Sequence, residues 1–217
     1  PTPTFETNVC GTQNVLDSCK KNCISKIIAT STAAVYKNIS FDSILDETSL
    51  TQPLSPYGAS KLKMEEIISN FSSKNSINTI ILRLFNVYGL GQSPEYAGVI
   101  SKFLSDIKNN CALTIFGDGT QTRDFVSVHD VIDSIILSLN PNSMSGIYNI
   151  ASGKSINILD LANFMIQESG KNLDINFEKS RIGEIQFSKV SVQKAKNNLK
   201  FIPNFNIFDE LKKLIHA

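Results

Sequence analysis

YGASKLKMEEIISNFSSKNSINTIILRL, residues 57–84, decides the fold. Its first half places Leu62, Met64, Ile67, Ile68 and Phe71 at helical spacing, which predicts an amphipathic helix. Its last seven residues, NTIILRL at 78–84, form a short apolar run with β-branched residues and read as a buried strand. KIIAT at 26–30 is a similar run on the other side of the helix. Strand, helix and strand in that order imply a parallel pair joined by a helical crossover, hence an α/β fold.

The alternation extends both ways. Upstream, Val9, Thr12, Val15, Leu16 and Cys19 predict a first helix with an apolar stripe. Downstream, helices are predicted at 96–109, 129–139, 157–168, 191–199 and 207–215, with short strands near 113–116, 123–126, 146–151 and 173–177. Ser55-Pro56 supplies a capping hydroxyl and an N1 proline to the helix of the opening stretch. Ser127 with Asp130 resembles a capping box, and Asn157 with Asp160 does the same for the next helix.

Composition narrows the function classes. The 217 residues carry a net charge of +1, which gives no drive toward nucleic acid or an anionic membrane. No apolar run reaches the ~20 residues of a membrane span, and no signal peptide is visible. Cys10, Cys19, Cys23 and Cys111 form no CxxC pair, so a reducing, cytoplasmic setting is expected rather than a disulfide framework or a zinc site. His129 and His216 are too far apart in sequence to suggest a metal site, so no metal is expected.

The strongest chemical signal lies at the start of the opening stretch. Tyr57 and Lys61 are four apart and share one helix face. A free tyrosine has a pKa near ~10 and is a weak base at neutral pH. A nearby ammonium favours the phenolate, which can then take a proton from a substrate hydroxyl. Upstream, ATSTAAVY at 29–36 ends a predicted strand, where ligands of open α/β sheets bind.

These segments, taken in order, resemble the extended short-chain dehydrogenase/reductase family. TSTAAVY, SPYGASK, RLFNVYG at 83–89, FGDGTQTRDFVSVHDV at 116–131, RIGE at 181–184 and NVCGT at 8–12 carry the resemblance over nearly the whole chain. It implies a Rossmann-like doubly wound parallel sheet with a smaller α/β substrate-binding domain. Residues 1–95 would belong to the NAD-binding domain and 96–217 mainly to the substrate domain, with 121–140 returning to the first. It also implies NAD as cofactor, a UDP-sugar substrate and a homodimer through the helices at 7–22 and 57–74.

The resemblance assigns roles to individual residues. Tyr57 would be the base, Lys61 its partner and Thr32 the catalytic hydroxyl. Thr7, Ser31 and Phe85 would join Tyr57 and Lys61 on the cofactor side. Asn86 would contact the diphosphate side of the substrate, Gly98 and Val99 would lie along the nucleotide, and Thr114, Ile115 and Phe116 would line the uracil pocket. Arg123 and Arg181 would reach the diphosphate, Glu184 the ribose and Ser188 the sugar's 2-substituent. Two guanidinium groups suit a diphosphate because they offer forked, permanently charged donors.

Ala33 and Ala34 discriminate between reactions. Dehydratases that resemble this family follow the threonine with an acid pair, whereas alanine transfers no proton. A 4-epimerase needs only one base, a held NAD and room for the sugar to turn. The expected reaction is therefore 4-epimerisation of UDP-glucose or UDP-galactose, with the small Ser188 leaving space for an N-acetyl group. Another oxidoreductase or dehydratase of the same scaffold, or an inert binding module, are the alternatives.

The chain also departs from the family pattern. Its 217 residues contain no GxxGxxG loop to place glycine backbone against a pyrophosphate. The resemblance implies a missing portion of about 80 residues, or about two βαβ units. Strand 26–30 and its helices are accordingly expected to be incompletely covered, and cofactor binding to be weak. Leu199-Lys200-Phe201 stands where the family places a helix-ending glycine.

Overall fold

The computed structural model describes residues 2–40, 43–92, 98–180 and 186–216. The chain opens in a helix, α1 (Thr2–Phe5), that runs through a π-helical turn at Glu6–Cys10 into α2 (Gly11–Lys21). Strand β1 (Lys26–Thr32), helix α3 (Pro56–Asn75) and strand β2 (Asn78–Leu84) form the βαβ unit expected from the opening stretch. β3 (Asn86–Tyr88), α4 (Val99–Lys108), β4 (Leu113–Phe116), β5 (Thr122–Ser127) and α5 (Val128–Ser138) follow. The chain continues with β6 (Gly146–Ile150), β7 (Ser155–Asn157), α6 (Ile158–Ser169) and β8 (Ile175–Glu178). It closes with α7 (Gln193–Leu199) and α8 (Ile207–Ile215).

The main sheet has the order β1-β2-β6 and is parallel throughout. Side chains alternate across β2. Ile80 and Leu82 face a core with Val126, Tyr148, Ile150, Ala195, Leu199 and Phe201. Ile81 faces the other way, onto Leu16 of α2 and Met64 and Ile68 of α3. Burying each such aliphatic side chain contributes about 1.5–3 kcal/mol. A second core joins α4, β4, α6 and α8 through Phe103, Leu113, Ile115, Leu161, Met165 and Leu211.

Segments beyond residue 140 also join the main sheet. β6 pairs with β2, and Ala195 and Leu199 of α7 pack on the same sheet, because the apolar face of β2 needs cover beyond what α5 supplies. β3 continues β2 past Phe85 and pairs with β5, which in turn pairs antiparallel with β7.

Local signals held at several ends and differed at others. The Ser55 hydroxyl accepts from the Gly58 N–H at 3.0 Å, with Pro56 at the first helical position. Ser127 caps α5 by accepting from His129, but Asp130 completes no capping box: its carboxylate accepts from the N–H groups of Asn204 and Phe205. Val15 does not join the buried stripe of the first helix; it is 57% exposed, and Leu16 is the buried residue of α2. Among the described residues no helix is long and apolar enough to cross a membrane, and no group of three His, Cys, Asp or Glu could hold a metal ion.

Candidate active site

The side chains expected to react lie at the C-terminal end of β1 and on the first turns of α3. Thr32 ends β1 beside its partner Leu84, which in turn pairs with Ile150 of β6. The Thr32 hydroxyl accepts from the Ala34 N–H at 3.2 Å and so starts a short 3-10 turn, Ala33–Val35. On this turn rests the first turn of α3. Contact is possible because residue 58 is glycine: a Cβ there would lie 2.4 Å from the Ala34 carbonyl oxygen and 2.9 Å from Pro53 Cβ. Gly58 thus brings Tyr57 to the segment that carries Thr32.

Tyr57 is 46% exposed and opens to solvent. Lys61, one turn on, is half-buried, and its ammonium donates to the Thr30 carbonyl at 3.0 Å. Burial pushes the Lys61 pKa down, and the charge of Glu65 opposes that shift. The π-helical turn adds a brace from the other side: Asn8 Nδ2 donates to the Ser60 hydroxyl at 2.9 Å, and that hydroxyl donates to the Tyr57 carbonyl at 2.8 Å. π-turns recur at functional sites, and Thr7 lies exposed on this one. Asn8 was legible only as part of the NVCGT segment; its brace on Ser60 was not.

Ser31 faces away from this opening. It is buried, and its hydroxyl donates to Glu65 Oε1 at 2.5 Å. Phe85 is buried at the end of β2, against Val35, Tyr36 and Ala151.

From Phe85 the chain passes directly to Asn86, which lines a cavity of about 990 Å³. Gly98 and Val99 line it from the start of α4. Thr114, Ile115 and Phe116 of β4 line it from the opposite side, and Arg123 of β5 closes the set. Seven residues expected along a nucleotide therefore share one cavity. Asn86 is fixed there by donating to the Asp124 carbonyl at 2.8 Å, and Arg123 Nη1 donates to the Thr122 carbonyl at 2.9 Å.

Sequence reasoning missed Gln121, whose buried amide lines the same cavity and donates to the Phe116 carbonyl at 2.7 Å. It also missed Lys102 of α4, a lining cation paired with Asp106 at 2.6 Å. Ser188 is not among the residues lining the cavity. It is buried beside β5 and β7, where its N–H donates to Thr122 and its carbonyl accepts from Ser155. Arg181 and Glu184 lie outside the described residues.

The residues present suit the nicotinamide end of a dinucleotide. A half-buried ammonium on the Thr30 carbonyl and a threonine hydroxyl lie at the end of β1, where such ligands bind, and an exposed phenol stands one turn before the ammonium on α3. No glycine-rich pyrophosphate loop occurs in the 217 residues, so the described fit is to that end alone.

Comparison with known proteins agrees with this geometry. The NAD dependent epimerase/dehydratase family matches residues 1–151. A putative UDP-glucose 4-epimerase of Methanocaldococcus jannaschii is 37% identical over 211 residues, covering 96% of this chain and 68% of that protein. A dTDP-D-glucose 4,6-dehydratase of Dictyostelium discoideum is 32% identical over 174 residues, covering 76% of this chain and 40% of that one. The UDP-glucuronic acid 4-epimerase of Bacillus cereus, solved with UDP-glucuronic acid and NAD, superposes with a TM-score of 0.89 at 34% identity, covering 97% of this chain and 68% of that one. The chain thus spans about two thirds of the length of the epimerases it matches. With its parallel Rossmann-like sheet and this degree of likeness, the chain belongs to the NAD-dependent epimerase/dehydratase family.

Proposed function

We propose that this chain carries the reacting half of a UDP-sugar 4-epimerase. The observation that supports this most is the pairing of an intact Tyr57–Lys61–Thr32 group with a turn, Ala33–Val35, that offers no acid or base. A 4,6-dehydratase must protonate a leaving hydroxyl and remove a proton from C5, and neither alanine can do so.

Bound NAD would supply a reversible hydride acceptor for C4. Lys61, Tyr57, Phe85 and Thr7 would hold its nicotinamide end, whereas Ser31 is turned onto Glu65. The Lys61 ammonium stabilises the phenolate of Tyr57 by charge. Tyr57 takes the proton of the sugar's 4-hydroxyl as C4 becomes a ketone. Thr32 positions that oxygen by a second hydrogen bond. The diphosphate stays anchored by Arg123 while the 4-keto sugar turns and presents its other face. Because the acceptor is reversible, the hydride would return to the other face of C4 while Tyr57 returns the proton to the new 4-hydroxyl, and the cycle would have no net redox change.

The uracil end of the substrate would enter the cavity between α4 and β4. Its walls join apolar Ile115 and Phe116 to a few polar groups, the usual make-up of a small-molecule site. The reading extends to N-acetyl sugars through the small Ser188, and turnover of UDP-N-acetylglucosamine tests it. A homodimer through α2 and α3 would cover the exposed Val15 of α2 and Ile24 just beyond it, and sedimentation would read it. Four unpaired thiols fit the cytoplasm.

The test is conversion of UDP-glucose to UDP-galactose, followed by chromatography with NAD present. Tyr57→Phe is expected to lower turnover by about 10²–10⁴-fold, the usual worth of a positioned base. UDP binding, measured by calorimetry, is expected to stay the same in that variant. A Tyr57→Phe variant with undiminished turnover would refute the assignment.

A further inference from the structure

Beneath α3 runs a line of polar side chains that the proposed reaction leaves unused. Ser31, Arg83 and Asn149 are aligned across β1, β2 and β6 and are all buried. Glu65 reaches down from α3 onto this row. It accepts from the Ser31 hydroxyl, from Arg83 Nε at 3.0 Å and from Arg83 Nη2 at 2.6 Å. The Arg83 guanidinium lies 4.6 Å from the centre of the Tyr36 ring. The Tyr36 hydroxyl donates to Asn149 Oδ1 at 2.7 Å, and the Asn149 N–H donates to Glu47 at 2.8 Å.

A buried ion pair is a weak way to hold a helix on a sheet, since apolar residues of similar volume do as well or better. Its position suggests another role. Tyr57, Lys61 and Glu65 follow one another at four-residue steps, so they share one face of α3. Lys61 is bonded to the carbonyl of Thr30, and Glu65 to the side chain of Ser31. Anchors on two consecutive residues fix both the position and the roll of the end of β1. Thr32 is the next residue.

We propose that Glu65 is a positioning residue for the catalytic group: clamped by Ser31 and Arg83, it holds the Lys61 ammonium and the Thr32 end of β1 in one geometry. This rests on the reading of Tyr57 and Lys61 as the reacting pair. The same carboxylate opposes the effect of burial on Lys61. The other groups around the two are the Thr30 carbonyl and Ser31 from β1, Met64 from α3, Arg83 from β2 and, beyond it, Tyr36.

The titration of Lys61 reads this directly. The chain's lysines are labelled by reductive ¹³C-methylation, and Lys61→Arg identifies the Lys61 signal by NMR. Glu65→Gln is expected to lower the Lys61 midpoint by about half a pH unit or more, roughly a threefold change in its protonation equilibrium. UDP affinity is expected to stay within about twofold, because Glu65 is not among the cavity-lining residues. An unmoved Lys61 midpoint overturns the proposal and leaves Glu65 a packing residue. If Glu65→Gln does not fold, the pair Glu65→Leu with Arg83→Met removes both buried charges and is judged by the same midpoint. Failure of the underlying reading appears elsewhere, as turnover that survives Tyr57→Phe.

Discussion

Strands β1 and β2 lie side by side, have equal length and each contain two isoleucines, yet five positions of β2 are buried against one in β1. The difference lies in their neighbours. β2 sits between β1 and β6, with helices on both faces, whereas β1 pairs on one side only among the described residues. An apolar run therefore specifies a strand, and its neighbours decide how much that strand contributes. The less buried strand is also the one whose end carries Thr32 and receives Lys61.

This contrast can be broken by matched truncations. Leu82→Ala in β2 empties a fully buried site and is expected to cost about 2–5 kcal/mol. Ile27→Ala in β1, half-buried, is expected to cost about 1 kcal/mol, near the centre of the range for single substitutions. Urea unfolding of both variants gives the comparison. Equal losses would mean that β1 is as well supported as β2.

Interior polar groups sharpen the contrast through pH. Glu65 is buried with a cation beside it; Asp124 is buried and held only by donors from Ser152, Gly153 and Lys154. Burial raises the Asp124 pKa to about 6. The folded state thus binds this proton more tightly than the unfolded chain does, near ~3.9. Its contribution to stability is present below ~4 and is lost as pH rises through about 6, an effect on the order of 3 kcal/mol. Asp124→Asn removes the titration and can offer a donor at the unpartnered Oδ2. The variant is expected to gain on the parent between pH 4.5 and 7.5 in thermal melts. A gap between the two that does not change with pH would contradict the assignment.

The smallest expected effect is at the end of α7. Lys200 adopts a left-handed conformation (φ 62°) that glycine takes without strain. Lys200→Gly is expected to stabilise the chain by about 0.5–1 kcal/mol, measured by urea midpoint. A loss of stability would mean that the Lys200 bond to the Asn197 carbonyl outweighs the strain.

Much of this was legible in advance, for identifiable reasons. The limits of β2, β4 and α8 matched the predicted 78–84, 113–116 and 207–215 because long apolar patterns and caps define them. β3 and β7 were missed because three residues carry no period. The exposure of Val15 was missed because an apolar stripe does not say what covers it. The ordered motifs gathered seven residues that line one cavity. They did not reveal that Ser31 turns toward Glu65, 34 residues along the chain, nor that Gly58 stands where the Ala34 carbonyl allows no Cβ. Such contacts depend on how α3 lies across β1, which no local pattern records.

The central claim is that Tyr57 serves a reversible oxidation at C4 with no elimination. The most direct measurement is the reaction with UDP-glucose and NAD in deuterated water, followed by NMR of the product. The account predicts UDP-galactose with protium retained at both C4 and C5, because hydride leaves and returns within one site and no residue removes the C5 proton. A 4-keto-6-deoxy sugar bearing solvent deuterium would contradict it and place the chain with the dehydratases.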